Sequence, residues 1–139
     1  MSIPDPNDSA RAEPQSFRAR ALMASLTVKD LERSVQWYEQ VVGFVVEQRH
    51  EHQGRVVAVA LLAGDVAVLL NQDDGAKGWD RAKGEGISLQ FTTTQDLDAH
   101  AARIKSRGGA LAAEPADMPW GARVFRVVDP DGFKLSFST

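Results

Sequence analysis

Apolar residues after Arg123 run Val124-Phe125-Arg126-Val127-Val128, break at Asp129-Pro130-Asp131-Gly132, and resume as Phe133-Lys134-Leu135-Ser136-Phe137. Two apolar runs of strand length around a Pro/Asp/Gly cluster predict a β-hairpin. Pro presets φ, Asp bonds its own backbone and Gly supplies positive φ. The figure occurs earlier as Arg55 to Leu62, Gly64, then Val66 to Leu70, and the two copies are offset by 68. Asp30-Leu31 is answered by Asp96-Leu97 and Gly43 by Gly109, both at an offset of 66. Internal repetition of this kind marks a duplicated supersecondary unit.

Each unit reads strand, helix, three strands. Ala19 to Val28 is the first strand, with Ala24, Leu26 and Val28 on one face and Met23, Ser25 and Thr27 on the other. Asp30 caps a helix whose buried stripe is Leu31, Val35, Tyr38 and Val42, and Gly43 ends it. Val45 to Arg49 leads to a polar tip, His50 to Gly54, and Val56 to Leu62 and Asp65 to Asn71 close the unit. In the second unit Ile87 to Thr93 is the first strand. Asp96 caps a helix with the stripe Leu97, Ala101 and Ile104, and Gly108-Gly109 ends it. Ala110 to Ala113 is a short edge strand and Glu114 to Gly121 a loop carrying Trp120. The fold class that follows is α+β, with two tandem βαβββ modules at about 19–72 and 86–139 and a linker over 73–85. Residues 1–18, with Pro4, Pro6 and Pro14, offer little to bury and read as a mobile N-terminal tail.

A chain of 139 residues suits one domain, and 43% hydrophobic with 25% charged residues places it among soluble globular proteins. Net charge of −3 without a basic segment argues against nucleic acid as partner. The absence of cysteine excludes disulfides, thiolate metal sites and cysteine nucleophiles. No apolar run approaches the roughly 20 residues of a membrane helix, so a cytoplasmic location without membrane contact is the expectation.

Val28-Lys29-Asp30-Leu31-Glu32-Arg33-Ser34, leading to Trp37-Tyr38 and Val42-Gly43-Phe44, resembles the first-module motif of the vicinal oxygen chelate superfamily. That superfamily includes glyoxalase I, extradiol dioxygenases, fosfomycin-modifying enzymes and bleomycin-resistance proteins. Asp129-Pro130-Asp131-Gly132 is similar to its closing turn. The resemblance implies a curled, cup-shaped mixed sheet with helices outside, surrounding a small molecule, commonly in a homodimer. It also implies that enzymes of the group place His, Gln or Glu on the cup face of the first and last strands of each module, to hold a divalent metal. Here those positions carry Met23 and Val68 in the first module, and Ser136 with either Leu89 or Ser88 in the second. None is a good ligand for a hard or borderline cation.

Other candidates have plainer explanations. His50 and His52 fall at a solvated hairpin tip, and His100 beside a buried stripe reads as a packed helix residue. Arg123 offers a fork of donors to an anion, yet Arg55 at the repeated position points to a structural role. Asp129 and Asp131 are accounted for by turn chemistry. The reading that follows is a metal-free protein, without cofactor, that binds or sequesters a small molecule. Its site would comprise Met23, Ser25, Thr27, Gln90, Trp120 and Ser136, with no catalytic residue assigned. The alternatives are a metal-dependent lyase, isomerase or dioxygenase of the same superfamily, and an interaction module with a filled cup. Sheet edges and apolar rims point to a homodimer.

Overall fold

The structure, a computed structural model, describes residues 15–139. Strand β1 (Ala24–Val28) is followed by helix α1 (Leu31–Gln36), which continues as a π-helical segment, Trp37–Val42, and by β2 (Val45–His52), β3 (Arg55–Ala63) and β4 (Val66–Gln72). The second half repeats the order with β5 (Ser88–Thr92), α2 (Leu97–Ser106), β6 (Ala113–Asp117), β7 (Arg123–Val128) and β8 (Lys134–Ser138). Two four-stranded sheets result, ordered β1-β4-β3-β2 and β5-β8-β7-β6. In each, the first strand runs parallel to the last and the other neighbours are antiparallel. The duplicated βαβββ unit is therefore present.

Two readings differ from the sequence expectation, and a third falls outside the described residues. Strand β1 begins at Ala24 because its ladder on β4 begins there, opposite Val68; Leu22, before it, is 94% exposed. Pro115 lies inside strand β6 rather than in a loop. β6 is an edge strand paired only with β7, and its register jumps between Ala113 and Ala116, where the missing N–H costs no ladder bond. Most of the expected N-terminal tail, residues 1–14, lies outside the described residues.

The core has one centre. Leu26, Val28, Val59, Leu61, Val68 and Leu70 from the first sheet join Phe91, Phe125, Val127, Leu135 and Phe137 from the second, with the helix stripes packed among them. Phe44 links the halves, its ring 5.4 Å from Tyr38 and 5.5 Å from Phe91. Each sheet thus turns one face to the shared core and the other away from it. In place of one continuous cup there are two separate sheet faces directed away from the shared core, one half-cup on each sheet.

Carboxylates of the second module fasten it to the first. Asp129 Oδ1 accepts from the backbone N–H groups of Asp131 (2.9 Å) and Phe133 (2.8 Å), which is the turn role expected of it. Its Oδ2 also accepts from the buried Tyr38 hydroxyl at 2.8 Å. Asp131 accepts from the Lys29 backbone N–H at 2.8 Å and the Ser34 hydroxyl at 3.3 Å. From the linker, the buried Lys83 ammonium stands 2.8 Å from Asp73 and 3.6 Å from Asp131, held by charge rather than by a well-aligned hydrogen bond. The linker approaches so closely that a Cβ at Gly84 would strike the Gly132 carbonyl. This latch ties the closing turn of the second module and the linker to the first module.

Candidate functional site

In the first half-cup the alternation along β1 holds: Leu26 and Val28 are buried in the core, and Ser25 and Thr27 face away from it. The ladder places Ser25 beside Leu69, which pairs with Ala60, and Thr27 beside Asn71, which pairs with Ala58. Asn71 Nδ2 donates to Ser25 Oγ at 2.8 Å, fixing the polar rim of an otherwise aliphatic floor. Met23, two residues before Ser25 and 48% exposed, lies at the open end.

The second half-cup is built by the same rule from different side chains. Phe91, Leu135, Phe137, Phe125 and Val127 enter the core, so Ser88, Gln90, Thr92, Lys134, Ser136, Ser138, Arg126 and Val128 are left on the outer face. Gln90, Ser136 and Arg126 are register neighbours across three strands. Ser136 is buried between its longer neighbours, while Gln90 and Arg126 are exposed. Of the six residues nominated from sequence, the structure groups Met23, Ser25 and Thr27 on one half-cup and Gln90 and Ser136 on the other. Trp120 stands apart in the β6–β7 connection, 71% exposed.

Register also settles two positions left wrong or open by sequence. Ser25 pairs with Leu69 as Gln90 pairs with Ser136, so Leu69, not Val68, is the counterpart of Ser136. Val68 points into the core with 1% exposure. The count from the turn glycine fails because β3 and β4 are joined by two residues, Gly64 and Asp65, whereas β7 and β8 are joined by five, Asp129 to Phe133. An odd difference in loop length flips every later side chain to the other face. By the same logic Ser88, two residues before Gln90, answers Met23, and Leu89 packs against the core.

The four positions at which the resemblance implies metal ligands are therefore Met23, Leu69, Ser88 and Ser136. A thioether, an alkyl group and two hydroxyls do not fit a hard or borderline divalent ion, which wants imidazole, carboxylate or amide oxygen. Among the described residues no three His, Asp or Glu side chains converge as a metal cluster.

The remaining polar candidates have structural partners. Arg123 grips Asp98 with two donors at 2.9 and 2.8 Å and Asp117 with a third at 3.0 Å, so its fork is already filled. The Arg123 guanidinium holds the Asp98 carboxyl below its ordinary range. His100 Nε2 donates to the Val42 carbonyl at 2.8 Å, and its ring lies edge-on to Phe125 and Phe137. His50 and His52 are exposed near the end of β2. Sequence reasoning passed over Arg126; its parity with Phe125 and Val127 was the signal that could have placed it on the outer face. A cleft of about 680 Å³ between the modules, floored by Phe44, Phe91 and Phe137 and edged by Thr92, Gln95 and His100, was not foreseen. It forms where the β3–β4 turn faces the residues before α2.

Comparisons with known proteins agree with this architecture. The family model of the Glyoxalase/Bleomycin resistance protein/Dioxygenase superfamily matches residues 20–137. A lactoylglutathione lyase of Neisseria meningitidis is 30% identical, with 85% of this chain and 88% of that protein covered. A putative lactoylglutathione lyase of Brassica oleracea is 26% identical, and the chain spans 44% of its length. The crystal structure of a superfamily member from Sphaerobacter thermophilus superposes with a TM-score of 0.71 at 23% identity, covering 87% of this chain and 97% of that one.

Proposed function

Given that this chain belongs to the Glyoxalase/Bleomycin resistance protein/Dioxygenase superfamily, we propose that it is a metal-free member that binds and holds a small molecule on the outer faces of its sheets. The observation that carries this reading is the set Met23, Leu69, Ser88 and Ser136, in which no side chain is an imidazole or carboxylate. A site with an aliphatic floor and a few directed polar groups retains a ligand by burial and hydrogen bonding without polarising it. A half-cup is too open to enclose one. The complementary arrangement is a homodimer in which the first half-cup of one copy closes on the second half-cup of the other.

Tryptophan fluorescence in the presence of candidate ligands tests the first part, with quenching expected to be indifferent to EDTA. Sedimentation at micromolar concentration tests the second, with a dimer expected.

A second reading rests on the relatives. Those named lactoylglutathione lyase favour an enzyme, and the 30% identity to the Neisseria protein extends over most of both chains. Elemental analysis of purified protein together with a lactoylglutathione lyase assay separates the two. One metal per chain with EDTA-sensitive turnover would establish the enzyme and end the metal-free reading.

A further inference from the structure

The two half-cups differ in charge as well as in polarity. Ladder positions that carry Ala60 and Leu69 in the first sheet carry Arg126 and Ser136 in the second, side by side in register. One row further along β8, Lys134 lies between Val128 and Ser88. Both cations are exposed, and among the described residues neither takes part in an ion pair. Among the described residues, strands β5, β7 and β8, which carry this face, contain no carboxylate. The acids of the neighbouring edge strand are engaged elsewhere, Glu114 by Lys105 and Asp117 by Arg123. What accompanies Arg126 and Lys134 is a set of neutral groups, Ser88, Gln90, Thr92, Ser136 and Ser138.

This face sits in a chain whose net charge is −3, so the two unpaired cations are not a by-product of a basic composition. A guanidinium flanked by a hydroxyl and an amide matches a planar or tetrahedral oxyanion, to which it donates a fork of bonds while the neutral neighbours complete the shell. The first half-cup supplies the opposite chemistry, with Ala58, Ala60 and Leu69 forming an uncharged aliphatic floor. We propose that the ligand is an organic anion with an apolar body, its carboxylate, sulfonate or phosphate held by Arg126 with Gln90 and Ser136, and Lys134 adding to the field. Its hydrocarbon part rests on the first half-cup of a second copy of the chain, in the homodimer proposed above. The assignment rests on the metal-free binding reading and deepens it, since Arg126 supplies the positive charge that Met23, Leu69, Ser88 and Ser136 do not recruit as a metal ion.

The test uses the full chain and two fluorescent probes with the same aromatic rings, anilinonaphthalenesulfonate and the uncharged phenylnaphthylamine. The sulfonate is expected to bind about tenfold tighter, the usual scale for one charge-assisted contact. Arg126→Gln and Lys134→Gln should each shrink that ratio, and added salt should weaken the sulfonate alone. Arg33→Gln, the same charge change on α1 away from both faces, should leave the ratio intact. Equal affinities for the two probes, or a ratio unaltered by Arg126→Gln and Lys134→Gln, would overturn the anion assignment while leaving metal-free binding standing. Failure of both probes to bind, or binding abolished by EDTA, would overturn the two together.

Discussion

The internal repeat creates two equivalent junctions between the modules, and they are finished differently. Where the β7–β8 turn meets the start of α1, Asp129 and Asp131 reach across to Tyr38, Ser34 and the Lys29 backbone, and Lys83 closes the gap from the linker. Where the β3–β4 turn meets the residues before α2, the side chain of Asp65 in the two-residue turn reaches no partner among the described residues, and a cleft of about 680 Å³ remains. His100 occupies the place on α2 that Ser34 holds on α1, and it turns inward to the Val42 carbonyl rather than outward to a turn. Backbone duplication thus sets where the modules meet, while loop length and two carboxylates decide whether the meeting point is locked.

Breaking the latch should have the largest effect. Asp129→Ala removes the acceptor for two turn N–H groups and leaves the Tyr38 hydroxyl buried without a partner. About 3 kcal/mol of stability should be lost in urea titrations. Tyr38→Phe removes one hydrogen bond and keeps the ring, so about 1 kcal/mol is expected by the same measurement. Thr94→Ala at the open junction should stay within about 0.5 kcal/mol, as for surface positions generally. A loss at Thr94 as large as that at Asp129 would show that the two junctions are equally built.

Acidity sharpens the same comparison. The Lys83 ammonium 2.8 Å away first, and the Gly75 backbone N–H next, lower the Asp73 carboxyl below its ordinary value of 3.8. Burial raises the Asp129 carboxyl, against the hydrogen bonds it accepts. The lowered group contributes stability that is full above its unfolded value and lost as pH falls through that range toward the lower native one. The raised group acts in reverse, relieving a cost as pH falls through its native value. Melting temperatures measured from pH 7 to pH 3 should therefore fall less steeply in Asp73→Asn than in the parent, and more steeply in Asp129→Asn. The opposite order would remove Asp73 and Asp129 from the latch as described.

Much of this architecture was legible before any coordinates. The stripe Leu31, Val35, Tyr38, Val42 and the cap Asp30 were readable because helix periodicity and capping are local. Alternation on β1 correctly separated Leu26 and Val28 from Ser25 and Thr27. The cup-facing member of β4 was misplaced at Val68 because register is set by the pairing of distant strands, and a difference in turn length altered it. Pro115 was read as a loop residue because its tolerance on an edge depends on which neighbours a strand lacks. Asp129 and Asp131 were assigned to turn chemistry alone, since nothing local reveals that Tyr38 and Lys29 will lie beside them. Arg123 drew attention as a free fork while Arg126, three residues on, carried the unpaired charge; only the placement of Asp98 and Asp117 distinguishes them.

The bond from the Lys29 backbone to Asp131 spans 102 positions of the chain. During synthesis, which proceeds from the N-terminus at roughly 5–20 residues per second, the first module is complete long before its fastener exists. It must wait through the making of the whole second half, with Tyr38 and Ser34 still lacking their acceptors. Closure waits for Asp129 and Asp131, so a chain stopped short of Asp129 carries every element of its first half without the carboxylates that fasten it to the second.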